Sequence, residues 1–162
     1  MKSKEISLSN ESLIEVIKSI FNKNSFFRFK VAGFSMSPFI KDSDTVTISP
    51  LSTGRLFFGK STVFIHPNTK NLVIHRIVGR NNGCFIIKGD AIGEPDGFIP
   101  KENILGFVAK IERNGRNVRL GLGIERLLIA FLSKNGLLSF IYYLWRLIPF
   151  SLRQSLKRSL YE

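Results

Sequence analysis

Leu72-Val73-Ile74-His75-Arg76-Ile77-Val78-Gly79-Arg80-Asn81-Asn82-Gly83-Cys84-Phe85-Ile86-Ile87-Lys88 is the stretch that decides the fold. Two runs rich in Val and Ile flank a glycine-bearing polar turn, the pattern of a β-hairpin. It reads as strands over 71–79 and 83–88 joined at Asn81-Asn82-Gly83. Further runs of the same composition occupy 28–32, 44–49, 62–66, 104–113 and 116–120. Asn68-Thr69-Lys70-Asn71 and Arg113-Asn114-Gly115-Arg116 read as two more hairpin turns. Asn114-Gly115 is the strongest signal, because both central positions of a two-residue turn require positive φ. Residues 26–120 are therefore expected to form a mainly β domain of coiled antiparallel strands.

Helical patterns flank this segment. In 1–25, Leu13, Ile14, Val16, Ile17, Ile20 and Phe21 recur at three- and four-residue steps, predicting an amphipathic helix over 9–22. Ser9 is placed to cap it, with Leu8 and Leu13 as a hydrophobic staple. In the tail, 121–162, apolar runs over 127–132 and 137–150 are split by Ser133-Lys134-Asn135-Gly136. Neither run reaches the roughly 20 apolar residues of a membrane span. Tyr142, Tyr143 and Trp145 lie beside Arg146, with Arg153, Lys157 and Arg158 following. Rings beside basic side chains suit the water–lipid interface. The expected placement is a helical tail on a membrane surface. Packing on the β domain or on a second subunit, or passage through the bilayer, are the alternatives.

The chain has 162 residues, one domain with extensions, and 24 Lys and Arg against 12 Asp and Glu. Residues 101–162 hold eleven basic and four acidic side chains, a local +7 that points to an anionic partner. A single cysteine, Cys84, excludes an internal disulfide and a cysteine-rich zinc cluster, and reads as a small buried hydrophobe. No apolar run follows Met1, so neither a secretory signal nor an N-terminal anchor is expected, and the setting is the cytoplasm or a membrane periphery. No cofactor or metal is implied.

Gly33-Phe34-Ser35-Met36-Ser37-Pro38 places a serine on a Gly/Pro-bounded turn, forty residues before His75, one of only two histidines. A serine hydroxyl is a poor nucleophile near neutral pH and needs a base within reach, often oriented by a carboxylate. Histidine, whose ordinary ionisation lies near neutrality, is suited to that role. On a strand, His75 and Ile77 share one face, Ile74 and Arg76 the other. Gly33 lets a substrate approach the backbone, Pro38 stiffens the exit, and the backbone N–H groups of Ser35 and its neighbours are candidate oxyanion donors. Asp90 and Asp96 follow His75 by 15 and 21 residues, enough for a strand and a turn to return either carboxylate to it. His66 has no such setting and reads as structural.

Taken in order, the serine turn, the segment Asp44-Thr45-Val46-Thr47-Ile48, His75-Arg76 and Lys88-Gly89-Asp90 resemble the boxes of type I signal peptidases over about residues 30–108. The similar branch is the one with a histidine base, found in the endoplasmic reticulum and in some Gram-positive bacteria and archaea. The resemblance implies a serine endopeptidase with Ser35 as nucleophile, His75 as base and Asp96 as third member, Asp90 being the second choice. It also implies a leader or precursor peptide as substrate, with small residues before the cut. Three features depart from the family pattern. Gly59-Lys60 stands where a Gly-Asp is usual, Gly33 stands where some bacterial members place an oxyanion-hole serine, and no N-terminal anchor is expected. A self-cleaving repressor-type peptidase fits less well, since it takes a lysine base and a DNA-binding helix pair in front. A non-catalytic β module that binds anionic membrane or nucleic acid through the tail is the rival from another class. The leucines and isoleucines among the tail's rings argue against specific nucleic-acid binding. Oligomeric state is left open by the sequence.

Overall fold

The computed structural model describes residues 9–147. Helix α1 (Asn10–Asn22) leads into strands β1 (Phe27–Lys30), β2 (Thr45–Pro50), β3 (Ser61–Ile65), β4 (Leu72–Asn81), β5 (Cys84–Lys88), β6 (Phe98–Ile99), β7 (Ile104–Arg113) and β8 (Arg116–Val118). Helices α2 (Arg126–Lys134) and α3 (Leu137–Leu147) close the described chain. The strands pair antiparallel in the order β1-β2-β7-β3-β4-β5-β6, with β8 against β7, forming a curled half-barrel. The mainly β expectation holds. The two-residue β6 is a strand the periodicity did not reveal, being too short to alternate, and the expected 116–120 strand stops at Val118.

The turns follow their chemistry. Asn82 and Gly83 take φ of 47° and 83°, and Asn114 and Gly115 take 51° and 74°, the paired positive values of a two-residue hairpin. Their strands register as Asn81 with Cys84 and Arg113 with Arg116. Cys84 is half-buried at this hairpin end rather than in the core. Around 68–71, His66 Nδ1 accepts from the backbone N–H groups of Asn68 and Thr69, a structural role.

The Ser9 side chain accepts from the Ser12 N–H and caps α1. Leu8 lies outside the described residues. Ile14 and Ile17 are buried, whereas Val16, on the same sequence pattern, faces solvent because it lies a third of a turn off the packed stripe. Ile17 joins Met36, Ile40, Val46, Ile48, Val63, Val108 and Ile111 in one core. A second core, Phe64, Ile77, Phe85, Ile87, Ile99 and Ile104, lies under the β4–β5 hairpin.

Ile17→Ala is expected to lower stability by about 2–5 kcal/mol, the loss for a fully buried aliphatic side chain. A urea midpoint unchanged from wild type would show that α1 does not complete the core.

Candidate active site

β4 carries the site because its two faces do different work. On one face His75 is 7% exposed and sits against the Phe64 ring, with centroids 6.3 Å apart. Its Nδ1 lies 2.6 Å from Asp96 Oδ2. A carboxylate can only accept here, so a proton resides on Nδ1, and in the neutral imidazole Nε2 is then the acceptor. Asp96 is held in turn by its own N–H, which donates to Ile87 O at 2.9 Å.

On the other face Arg76 is fully buried. Its Nε and Nη2 reach Asp90 at 2.9 and 2.7 Å, while Nη1 donates to Gly59 O at 2.8 Å and to Gly121 O at 3.1 Å. Burial pushes the Asp90 carboxyl up from its ordinary value, and the Arg76 guanidinium opposes that push. Of the two candidate carboxylates, then, Asp96 meets His75 and Asp90 meets Arg76. The alternation of the strand sends residues 75 and 76 to opposite faces and their partners with them.

Ser35 is half-buried on the turn after β1. Its carbonyl accepts from the Ala91 N–H at 2.8 Å, which ties the serine turn to the loop after β5. Between them lies Gly89. A Cβ there would stand 2.8 Å from Ser35 O and 3.0 Å from His75 Nε2, so the bare glycine lets the serine turn, the histidine and this loop meet. Among the described residues no direct hydrogen bond joins Ser35 Oγ to His75. The backbone N–H groups of Ser35 and Met36 also have no acceptor among them, the neighbouring Ser37 N–H being taken by Phe34 O.

The lysines nearest these segments are engaged elsewhere. Lys60 Nζ donates to Arg55 O and lies 3.3 Å from the centre of the Phe107 ring. Lys88 is 2% exposed and donates to Ser133 O at 2.6 Å. Burial lowers the pKa of both amines.

Beside Ser35 a cleft of about 390 Å³ runs between β1 and the start of β4. Its walls are strand edges. Ile77 N–H bonds to Lys60 O, and His66 N–H to Asn71 O, so odd-numbered residues of β4 face β3. Even-numbered ones face the opposite edge, which β5 covers only from Arg76 onward. The N–H and C=O of Ile74 therefore point into the cleft. Across it, Val31 bonds to Asp44 and Ser43, which turns the backbone groups of Lys30 and Ala32 to the open edge of β1. Sequence reasoning quoted Gly89 only as part of Lys88-Gly89-Asp90 and missed its role, the clamp by Arg76 and these two edges. An arginine in the middle of the apolar run 72–78 was the available signal for the clamp, since a buried guanidinium requires a carboxylate and carbonyls.

Comparison with protein-family models and with curated proteins gives no match.

Arg76→Ala leaves the Asp90 carboxylate buried and unpaired, so a loss of about 3–5 kcal/mol in urea unfolding is expected. A variant as stable as wild type would show that the clamp is dispensable.

Proposed function

We propose that this chain is a serine endopeptidase of signal-peptidase type, acting on an extended segment of a leader or precursor peptide. The observation that carries the reading is the Asp96-oriented His75, whose free Nε2 faces the Ser35 turn across Gly89 at the end of a two-edged cleft. In the reaction, Ser35 Oγ bonds to the scissile carbonyl carbon while its proton passes to His75 Nε2. The C–N bond then breaks and that proton leaves on the amine. A water, deprotonated by the same imidazole, releases the acyl group. Asp96 keeps the ring in the accepting tautomer and stabilises its cation, and the N–H groups of Ser35 and Met36 are the candidate donors to the oxyanion. An extended chain suits the cleft, because a strand offers backbone pairs to both edges at alternate residues. The small residue before the cut rests on the sequence resemblance.

A proteome-derived peptide library incubated with the protein is expected to yield cleavage products, and Ser35→Ala to reduce their formation by at least about 10³-fold with folding intact. Undiminished cleavage by the purified variant would overturn the reading.

The same enzyme is proposed to work at an anionic membrane surface. Leu127, Leu128 and Phe131 on α2 and Leu137, Phe140, Ile141, Tyr143, Leu144 and Leu147 on α3 are exposed, while Ile129 and Ala130 pack inward. Among the described residues no single helix is long and apolar enough to cross a membrane, and α2 and α3 are bent by 84° at their break. Exposed apolar faces in a chain segment of net positive charge suit the lipid interface. The side chains of Trp145 and Arg146, and Arg153, Lys157 and Arg158, lie outside the described residues. Co-sedimentation is expected with phosphatidylserine vesicles, weakening in high salt, and is expected to be lost in a chain ending at Lys134, which keeps α2. Equal sedimentation with neutral vesicles would contradict an electrostatic surface contact.

A further inference from the structure

Helix α1 lines one end of the cleft through Asn10 and Leu13. Asn10 is the first residue of α1, and its half-buried side chain turns toward the start of β4. Its Oδ1 accepts from the Leu72 N–H at 2.9 Å and its Nδ2 donates to Lys70 O at 3.0 Å. The Leu72 N–H is one of the groups that an incoming strand would pair with on this edge of β4, and Lys70 O lies in the turn just before the strand. The carboxamide thus occupies the edge as a peptide group would. The Ser9 cap fixes the first turn of α1, and Ile14 and Ile17 bury the turns after it, so Asn10 is presented from a rigid element. Leu13, one turn further on, lines the same cleft.

We propose that Asn10 is a built-in stop that limits how many substrate residues can pair upstream of the scissile bond. The inference rests on the peptidase reading and adds to it a specificity-determining residue outside the catalytic group. The acyl half of the substrate stays attached to Ser35 through the second step, so it is the half that the cleft must hold. With the Leu72 N–H already paired, the Leu72 C=O and the N–H and C=O of Ile74 are the β4 groups left on which that half docks by its backbone. From His75 to Leu72 is three strand steps, roughly 10 Å at 3.3 Å per residue. That length accommodates about three substrate residues before the chain meets α1 and turns away. The residue at that end lies against Leu13 and Phe29, which favours an apolar side chain. The expected substrate is therefore recognised over a short segment.

The test uses N-acetylated peptides of randomised sequence ending in an alanine boronate, two to six residues long, titrated against the full chain. A boronate adds reversibly to a serine hydroxyl, so binding reports Ser35 without needing the natural substrate. In wild type, affinity is expected to rise by about 2–10-fold for each newly paired residue and to level off at about three residues. In Asn10→Ala, which frees Leu72 N–H and Lys70 O, the rise is expected to continue for about two residues more. Asn10→Asp keeps an acceptor for the Leu72 N–H and is expected to level off where wild type does, which separates the stop from a general loosening of α1. Wild-type affinity that keeps rising to six residues, or the same plateau in wild type and Asn10→Ala, overturns the stop while leaving the peptidase reading intact. Boronate binding that survives Ser35→Ala unchanged at every length overturns the peptidase reading, and the stop with it.

Discussion

The site depends on one buried ion pair. Arg76 and Asp90 are both fully excluded from water, an arrangement that costs several kcal/mol per charge unless every polar atom finds a partner. Here the guanidinium meets both carboxylate oxygens and two backbone carbonyls. These contacts join four stretches distant in sequence: the middle of β4, the loop after β5, the turn at Gly59 and the turn at Gly121. Geometry on the opposite face of β4 follows from that. With Asp90 fixed, Gly89 lies between Ser35 O and His75 Nε2, and the rest of the loop carries Asp96 back to His75 Nδ1. The carboxylate that holds the loop and the one that orients the ring are six residues apart and serve opposite faces of one strand.

An incompletely closed sheet has exposed edges, and exposed edges invite pairing with foreign chains. This molecule leaves two of them facing each other. At β4 the exposed portion is short: β5 covers it from Arg76 onward, and Asn10 pairs with the Leu72 N–H and with Lys70 O just before the strand. The unpaired backbone groups of Ile74 adjoin the histidine, and those of Lys30 and Ala32 lie just before the serine turn. Edge protection and the proposed substrate pairing thus share one construction, and α1, a core helix by its buried face, lines the cleft with its first turn.

The tail divides in two. Helix α2 is bound to the β body: Ile129 and Ala130 are buried and Ser133 O receives the Lys88 amine, while in the segment before it Gly121 O receives Arg76. A buried lysine lacking that carbonyl would hold an unsatisfied ammonium in an apolar setting. Helix α3 departs from α2 at 84° with most of its large apolar side chains exposed. The break that separates them is Asn135-Gly136, where Gly136 adopts φ of 72°, a conformation that glycine reaches without strain.

Much of the fold was legible in the sequence because local chemistry dictates it. Paired Asn-Gly positions fix hairpins through positive φ, period-two apolar runs fix strands, and Ser9 before a three-and-four repeat fixes α1. The candidate residues Ser35, His75, Asp90 and Asp96 could be named from residue type, spacing and resemblance. Residue type and spacing could not decide which carboxylate faces the histidine, because Asp90 and Asp96 both lie within reach along the chain, although the resemblance put Asp96 first. Only the pleat of β4, together with the demand of a buried guanidinium for a carboxylate, assigns one to each face. The cleft edges and the Asn10 cap were likewise invisible, since they arise where β1, β4 and α1 converge and no single segment encodes them. Sequence alone determined the strands, the turns and the chemical groups available. Tertiary structure decided their partners, because burial makes each polar group's choice of partner a property of the whole packing rather than of its neighbours in the chain.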